Sequence, residues 1–120
     1  VIMAEVTFKK FGLVKEYSDE RLLLLDFDDG DRAPALDRLF SVARTCGLKI
    51  EWVRQDRTVH GWHMVVRLKR PLQPWQTLAL QAIVGSDWRR EAMNWARLAA
   101  NPEHPAALKR WNILYQEKVQ

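Results

Sequence analysis

Four consecutive leucines, Leu22 to Leu25, run directly into Asp26-Phe27-Asp28-Asp29-Gly30-Asp31, the sharpest change from apolar to charged positions along the chain. A run this apolar predicts a buried strand over about residues 21 to 28. Alternation along that strand puts Asp26 and Asp28 on one face with Leu22 and Leu24, and turns Leu23, Leu25 and Phe27 to the other. Ahead of it, part of the segment from Val6 to Leu13 reads as a first strand, with Gly12 near its end. Behind it, Pro34 suits a first helical turn, Leu36, Leu39, Phe40 and Ala43 recur at helical spacing, and Gly47 stands where a helix ends.

Leu48, Ile50 and Trp52 alternate with Lys49, Glu51 and Val53 as a half-buried strand that turns over near Gln55-Asp56-Arg57. In the next strand Trp62, Met64, Val66 and Leu68 share one face, and His63, Val65 and Arg67 share the other. The link between these two strands is too short for a crossover helix, so they are expected to pair antiparallel. Pro74 opens a second helix with Trp75, Leu78, Ala79 and Ala82 on one face, closed by Gly85. Ser86-Asp87 starts a third helix that runs to about Ala99, before Asn101-Pro102 breaks it. Trp111 to Gln116 alternates as a closing strand.

From the leucine strand onward the order is strand, helix, strand, strand, helical pair, strand. This is the split β-α-β pattern of ferredoxin-like and RRM-like domains, an α+β fold with an antiparallel sheet and helices on one face. The polymerase palm is built on the same plan. With 120 residues, 48% of them hydrophobic, and no repeat or long linker, residues 1–120 are expected to form a single domain.

Charge and cysteine usage narrow the setting. The single cysteine, Cys46, leaves no internal disulfide and no cysteine-based zinc site, and with no secretory signal in view the expected compartment is the cytoplasm. The apolar run is far short of the roughly 20 residues that cross a bilayer, so no membrane partner is expected. Nineteen Lys and Arg against fifteen Asp and Glu give a net charge of +4, although four acids crowd between residues 26 and 31; the rest of the surface is correspondingly basic and favours a polyanionic partner. The six tryptophans read mainly as core material.

Two carboxylates two residues apart repel each other unless solvated, partly protonated or shared by a cation, and clustered oxygen ligands suit hard divalent ions such as magnesium or manganese. The alternative is a solvated acidic turn leading into the next helix. If the helices cover the Leu23/Leu25/Phe27 face, Asp26, Asp28, His63 and Arg67 emerge together on the uncovered one, a surface suited to a metal-bound triphosphate. Asp87 caps the third helix, whose Arg90, Asn94 and Arg97 form a polar stripe facing away from Trp88, Ala92, Trp95 and Ala99. Such a stripe is either a solvated face or a phosphate-binding one.

These residues resemble the archaeo-eukaryotic primase and primase-polymerase superfamily, including its small phage and plasmid replication members. Asp26-Phe27-Asp28 looks like that family's D-x-D motif after an apolar strand. Gly61-Trp62-His63 before Met64-Val65-Val66 looks like its small-residue-x-His motif, and Val84-Gly85-Ser86-Asp87 like its later Asp after an apolar stretch. The resemblance covers roughly residues 20 to 116. It implies a template-dependent nucleotidyltransferase of DNA replication in which Asp26, Asp28 and Asp87 hold Mg2+ or Mn2+ and His63 contacts the incoming nucleotide. Arg67, Arg90, Asn94 and Arg97 would then bind its phosphates. The partners implied are a DNA template, nucleoside triphosphates and other replication proteins. The chain departs from the pattern where Gly61 replaces the usual serine, and it carries no zinc module or helicase segment.

Three other readings share some of these features. A haloacid-dehalogenase-like phosphatase also opens with an apolar strand and D-x-D, but has Thr where Asp31 stands and needs a parallel Rossmann-like sheet. A rolling-circle nicking endonuclease would use His60, His63 and Tyr115, yet a spacing of three sends the histidines to opposite faces of a strand. A non-catalytic RRM-like nucleic-acid-binding or scaffold domain of a replication complex would not need the metal; the aromatic signature of RNA-binding RRMs is missing here.

Overall fold

The computed structural model of the chain describes residues 4–8, 13–17, 20–28, 32–59, 61–100 and 111–117. In chain order the elements are β1 (Ala4–Phe8), β2 (Leu13–Tyr17), β3 (Leu22–Asp28), α1 (Arg32–Thr45), β4 (Ile50–Arg57), β5 (Gly61–Leu68), α2 (Pro74–Val84), α3 (Trp88–Ala100) and β6 (Ile113–Glu117). The class is α+β. Where one first strand was expected there are two, β1 and β2, paired antiparallel. Gly12, expected near a strand end, lies outside the described residues.

β3, β5 and β4 form one antiparallel sheet in that spatial order, so β3 and β4, joined through α1, run parallel with β5 inserted between them. Leu23, Leu25, Met64 and Val66 on one face pack against Leu39 of α1 and against Leu80 and Val84 of α2. All four leucines of β3 are buried, each worth about 1.5–3 kcal/mol relative to exposure. The expected parity holds.

The expected single sheet does not. β6 pairs with β2 instead of extending the β3 edge, giving a second antiparallel sheet in the order β1-β2-β6. Leu114 of β6 packs on Leu22, Leu24 and Val65, so the face opposite α1 and α2 is covered at its leucine end. The Asp26–Asp28 end remains partly accessible, as do Trp52, Arg54 and Arg67 on the neighbouring strands.

The reason lies at the outer edge of β3. An unpaired strand edge presents N–H and C=O groups that cannot be left unsatisfied inside a protein. Here Leu24 N–H donates to Gln81 Oε1 at 2.9 Å, and Leu24 C=O accepts from the Arg90 guanidinium. Asp26 N–H donates to Ser86 Oγ at 3.0 Å, and Asp26 C=O accepts from Asp87 N–H. Side chains and a helix start occupy the place of a neighbouring strand.

This demand also reverses two helical faces. In α2 the buried positions are Thr77, Leu78, Leu80, Gln81 and Val84, while Trp75, Ala79 and Ala82 of the expected face are not buried. α2 is apolar nearly all round, so periodicity alone does not select its buried side. In α3 the polar residues Arg90, Glu91 and Asn94 face inward with Leu98, whereas Trp88 is 73% and Trp95 54% exposed. Of the tryptophans expected in the core, Trp111 is buried, packed with Leu78 and Leu98.

Candidate metal centre

Three segments converge at the polar end of β3. Asp26 and Asp28 leave the core on the same face, two residues apart. Opposite them on β5 stand His63, the register partner of Asp26, and Gly61, the partner of Asp28. A Cβ on Gly61 would collide with the Phe27 carbonyl and lie 3.0 Å from Asp28 Cα, so this close approach admits only glycine. The position where the family pattern has serine is thus constrained by the backbone next to Asp28.

Asp87 arrives from the α2–α3 junction. Gly85, at φ +100°, ends α2 with its N–H donating to Ala82 O at 3.1 Å and the Ser86 N–H donating to Gln81 O at 3.1 Å, the paired bonds of a Schellman turn. The chain then turns alongside β3, where Asp87 N–H donates to Asp26 O at 2.6 Å. Asp87 also caps α3, its Oδ1 accepting from Arg89 N–H at 3.2 Å. The cap role and the acidic cluster share one side chain.

One carboxylate oxygen from each of Asp26, Asp28 and Asp87 lies within 4.8 Å of the other two. Opposed ligands of an octahedral magnesium stand about 4.2 Å apart, so small side-chain rotations bring three such oxygens into one coordination sphere. The donor set, all carboxylate oxygen and partly open to solvent, fits a hard divalent cation. His63 is buried, with Nε2 3.4 Å from Asp26 Oδ1.

The four residues expected to hold phosphates are placed differently. Arg90 lies behind the cluster; burial pulls its guanidinium below the usual arginine value, while the charges of Glu91 and Asp26 act to raise it. It remains a cation at neutral pH. Asn94 is fully buried, donating to Glu91 Oε1 at 3.0 Å, and Arg97 donates to the Trp111 carbonyl at 2.9 Å. Arg67 sits four residues beyond His63 on β5, about 13 Å along the strand, with Nε donating to Glu51 Oε2 at 3.0 Å. Arg90, Asn94 and Arg97 are bonded into the fold, while Arg67 makes a partly exposed ion pair. The expectation of a polar stripe on an outward face of α3 is corrected.

Gln81, Glu91 and Asn112, all buried and all polar, were not singled out from the sequence, and Ser86, read there only as part of a helix start, is buried beside them. Gln81 is visible as an amide among apolar residues, between Leu80 and Ala82, and Asn112 as an amide between Trp111 and Ile113. The sheet holding the cluster is antiparallel, unlike that of the haloacid-dehalogenase-like phosphatases. Tyr115 lies in β6, while His60 and residues 29–31 fall outside the described residues. Among the described residues, no helix is long and apolar enough to cross a membrane. Comparison of the chain with protein-family models, with curated proteins and with solved structures gives no match.

Proposed function

We propose that the domain is a metal-dependent nucleotidyltransferase with a palm-like, RRM-related sheet, acting on a DNA template in the manner of the primase-polymerases. The observation that carries this reading is the meeting of Asp26, Asp28 and Asp87 within 4.8 Å, drawn from two separate parts of the chain, with His63 directly across the sheet from Asp26. The split β-α-β order of β3, α1, β4 and β5 supports it. Bound Mg2+ or Mn2+ would neutralise triphosphate charge and stabilise attacking and leaving oxygens in an in-line displacement.

Asp26, Asp28 and Asp87 hold the ion. His63 contacts the incoming nucleotide, and Arg89, exposed in the first turn of α3 with its guanidinium over the Trp88 ring, adds positive charge at the same helix end. The burial of Arg90 and Asn94 favours a second reading, a replication-complex binding module without catalysis, because it removes two of the expected phosphate contacts. Calorimetry with Mn2+, with and without nucleoside triphosphate, separates the two. Metal-dependent triphosphate binding followed by template-directed product supports the enzyme; no triphosphate binding and no product leaves the binding module.

A further inference from the structure

Behind the carboxylates lies a buried polar assembly that joins β3, the α2–α3 junction and the start of β6. Arg90 stands at its centre. Its Nε donates to Ile113 O at 2.8 Å and one terminal nitrogen to Asn112 Oδ1 at 2.9 Å. The other terminal nitrogen donates to Leu24 O and to Glu91 Oε2, and approaches Ser86 Oγ at 3.4 Å. Gln81 reinforces both sides, accepting from Leu24 N–H at 2.9 Å and from Asn112 Nδ2 at 2.7 Å. Asn94 Oδ1 accepts from Ile113 N–H at 3.2 Å.

A guanidinium is planar and presents its donors in a fixed fork, so it can bond Ile113 O and Leu24 O together only while their separation is held. Water does not reach this group readily, and a buried donor or acceptor that loses its partner carries the full desolvation cost. A shift of β6 at Asn112–Ile113 must therefore either drag Arg90 with it, straining its bonds to Leu24 and Ser86, or break its bonds to Ile113 and Asn112. Ser86 in turn receives the Asp26 N–H, one residue before the Asp87 N–H that meets Asp26 O.

We infer that Arg90 couples the seating of β6, and through it the β1-β2-β6 sheet, to the spacing of Asp26 and Asp87. The coupling needs no bound ion, so its test stands apart from that of nucleotidyl transfer.

Amide hydrogen exchange on the intact chain reads it, with the Met64 amide in the central strand as the reference for global opening. Ser86→Ala alters the cluster side, and exchange at Ile113 should accelerate about tenfold relative to Met64. Asn94→Ala alters the β6 side, and exchange at Asp26 and Asp87 should accelerate comparably. In an Arg90→Lys background, where one nitrogen cannot reach both strands, each distant effect should vanish while the local one persists. Should Asn94→Ala fail to fold, Asn94→Ser serves the same arm. Changes confined to each substitution's own side, or distant effects that survive Arg90→Lys, overturn the coupling.

Discussion

The backbone N–H of Asp87 donates to the backbone carbonyl of Asp26 across 2.6 Å, joining positions 61 residues apart in the chain at the point where β3 leaves the core. Peptide groups, which every residue carries, fasten the junction, so it uses neither carboxyl group: Asp87 Oδ1 caps α3 and Asp26 Oδ1 meets His63. The third, on Asp28, follows from strand parity.

Neutralising the cluster should therefore separate binding from folding. Asp28→Asn is expected to lower Mn2+ affinity at least tenfold and any nucleotidyl transfer by several orders of magnitude. Its melting temperature should change by no more than a few degrees, because the side chain is exposed and relief of like-charge repulsion offsets lost contacts. Calorimetric metal titration beside a thermal melt checks this; unchanged Mn2+ binding would sink the metal centre.

His63→Ala should weaken metal-dependent triphosphate binding about tenfold and leave the circular dichroism spectrum unaltered. The imidazole meets Asp26 at the polar end of the sheet, away from the leucine core. Equal affinity in the variant and the parent would remove His63 from the site.

Adding a side chain at the glycine opposite Asp28 should be damaging. Gly61→Ser places a Cβ against the Phe27 carbonyl, which as strand backbone cannot yield like a flexible side chain. A loss of about 3 kcal/mol is expected, read as a fall of roughly 10 °C in melting temperature. A variant as stable as the parent would show that β3 and β5 part more easily at this end than their register suggests.

Arg90→Met should cost about 3–5 kcal/mol, since it strands the buried Glu91 carboxylate and the Leu24 and Ile113 carbonyls. Replacing Arg90 and Glu91 together with Met should recover part of that loss, because no lone charge then remains inside. Chemical denaturation of both variants decides it: a double variant no better than the single one would mean the carbonyl partners, and not the unpaired charge, dominate.

The inverted face of α3 makes a further contrast. Trp88→Ala and Trp95→Ala should each shift stability by under about 0.5 kcal/mol. Trp111→Ala, which empties a site between Leu78 and Leu98, should cost about 3–5 kcal/mol. Equal losses at all three positions would contradict the orientation of the helix.

Much was legible in the chain itself. Leu22 to Asp28 encode a buried strand whose alternation separates core from carboxylates, Gly47 and Gly85 mark helix ends with positive φ, and the short link between β4 and β5 dictates an antiparallel pair, although Gln55, Asp56 and Arg57, where the turn was expected, continue β4. These features are local, and local sterics and hydrophobic period suffice to read them. The partner of β6, the buried side of α2 and the inward turn of Arg90 and Asn94 were not legible in this way. They answer the unpaired edge of β3, whose Leu24 and Asp26 backbone groups must find donors and acceptors. That requirement exists only once the sheet has formed, and satisfying it outweighed the outward preference of polar side chains and left Trp75, Trp88 and Trp95 exposed.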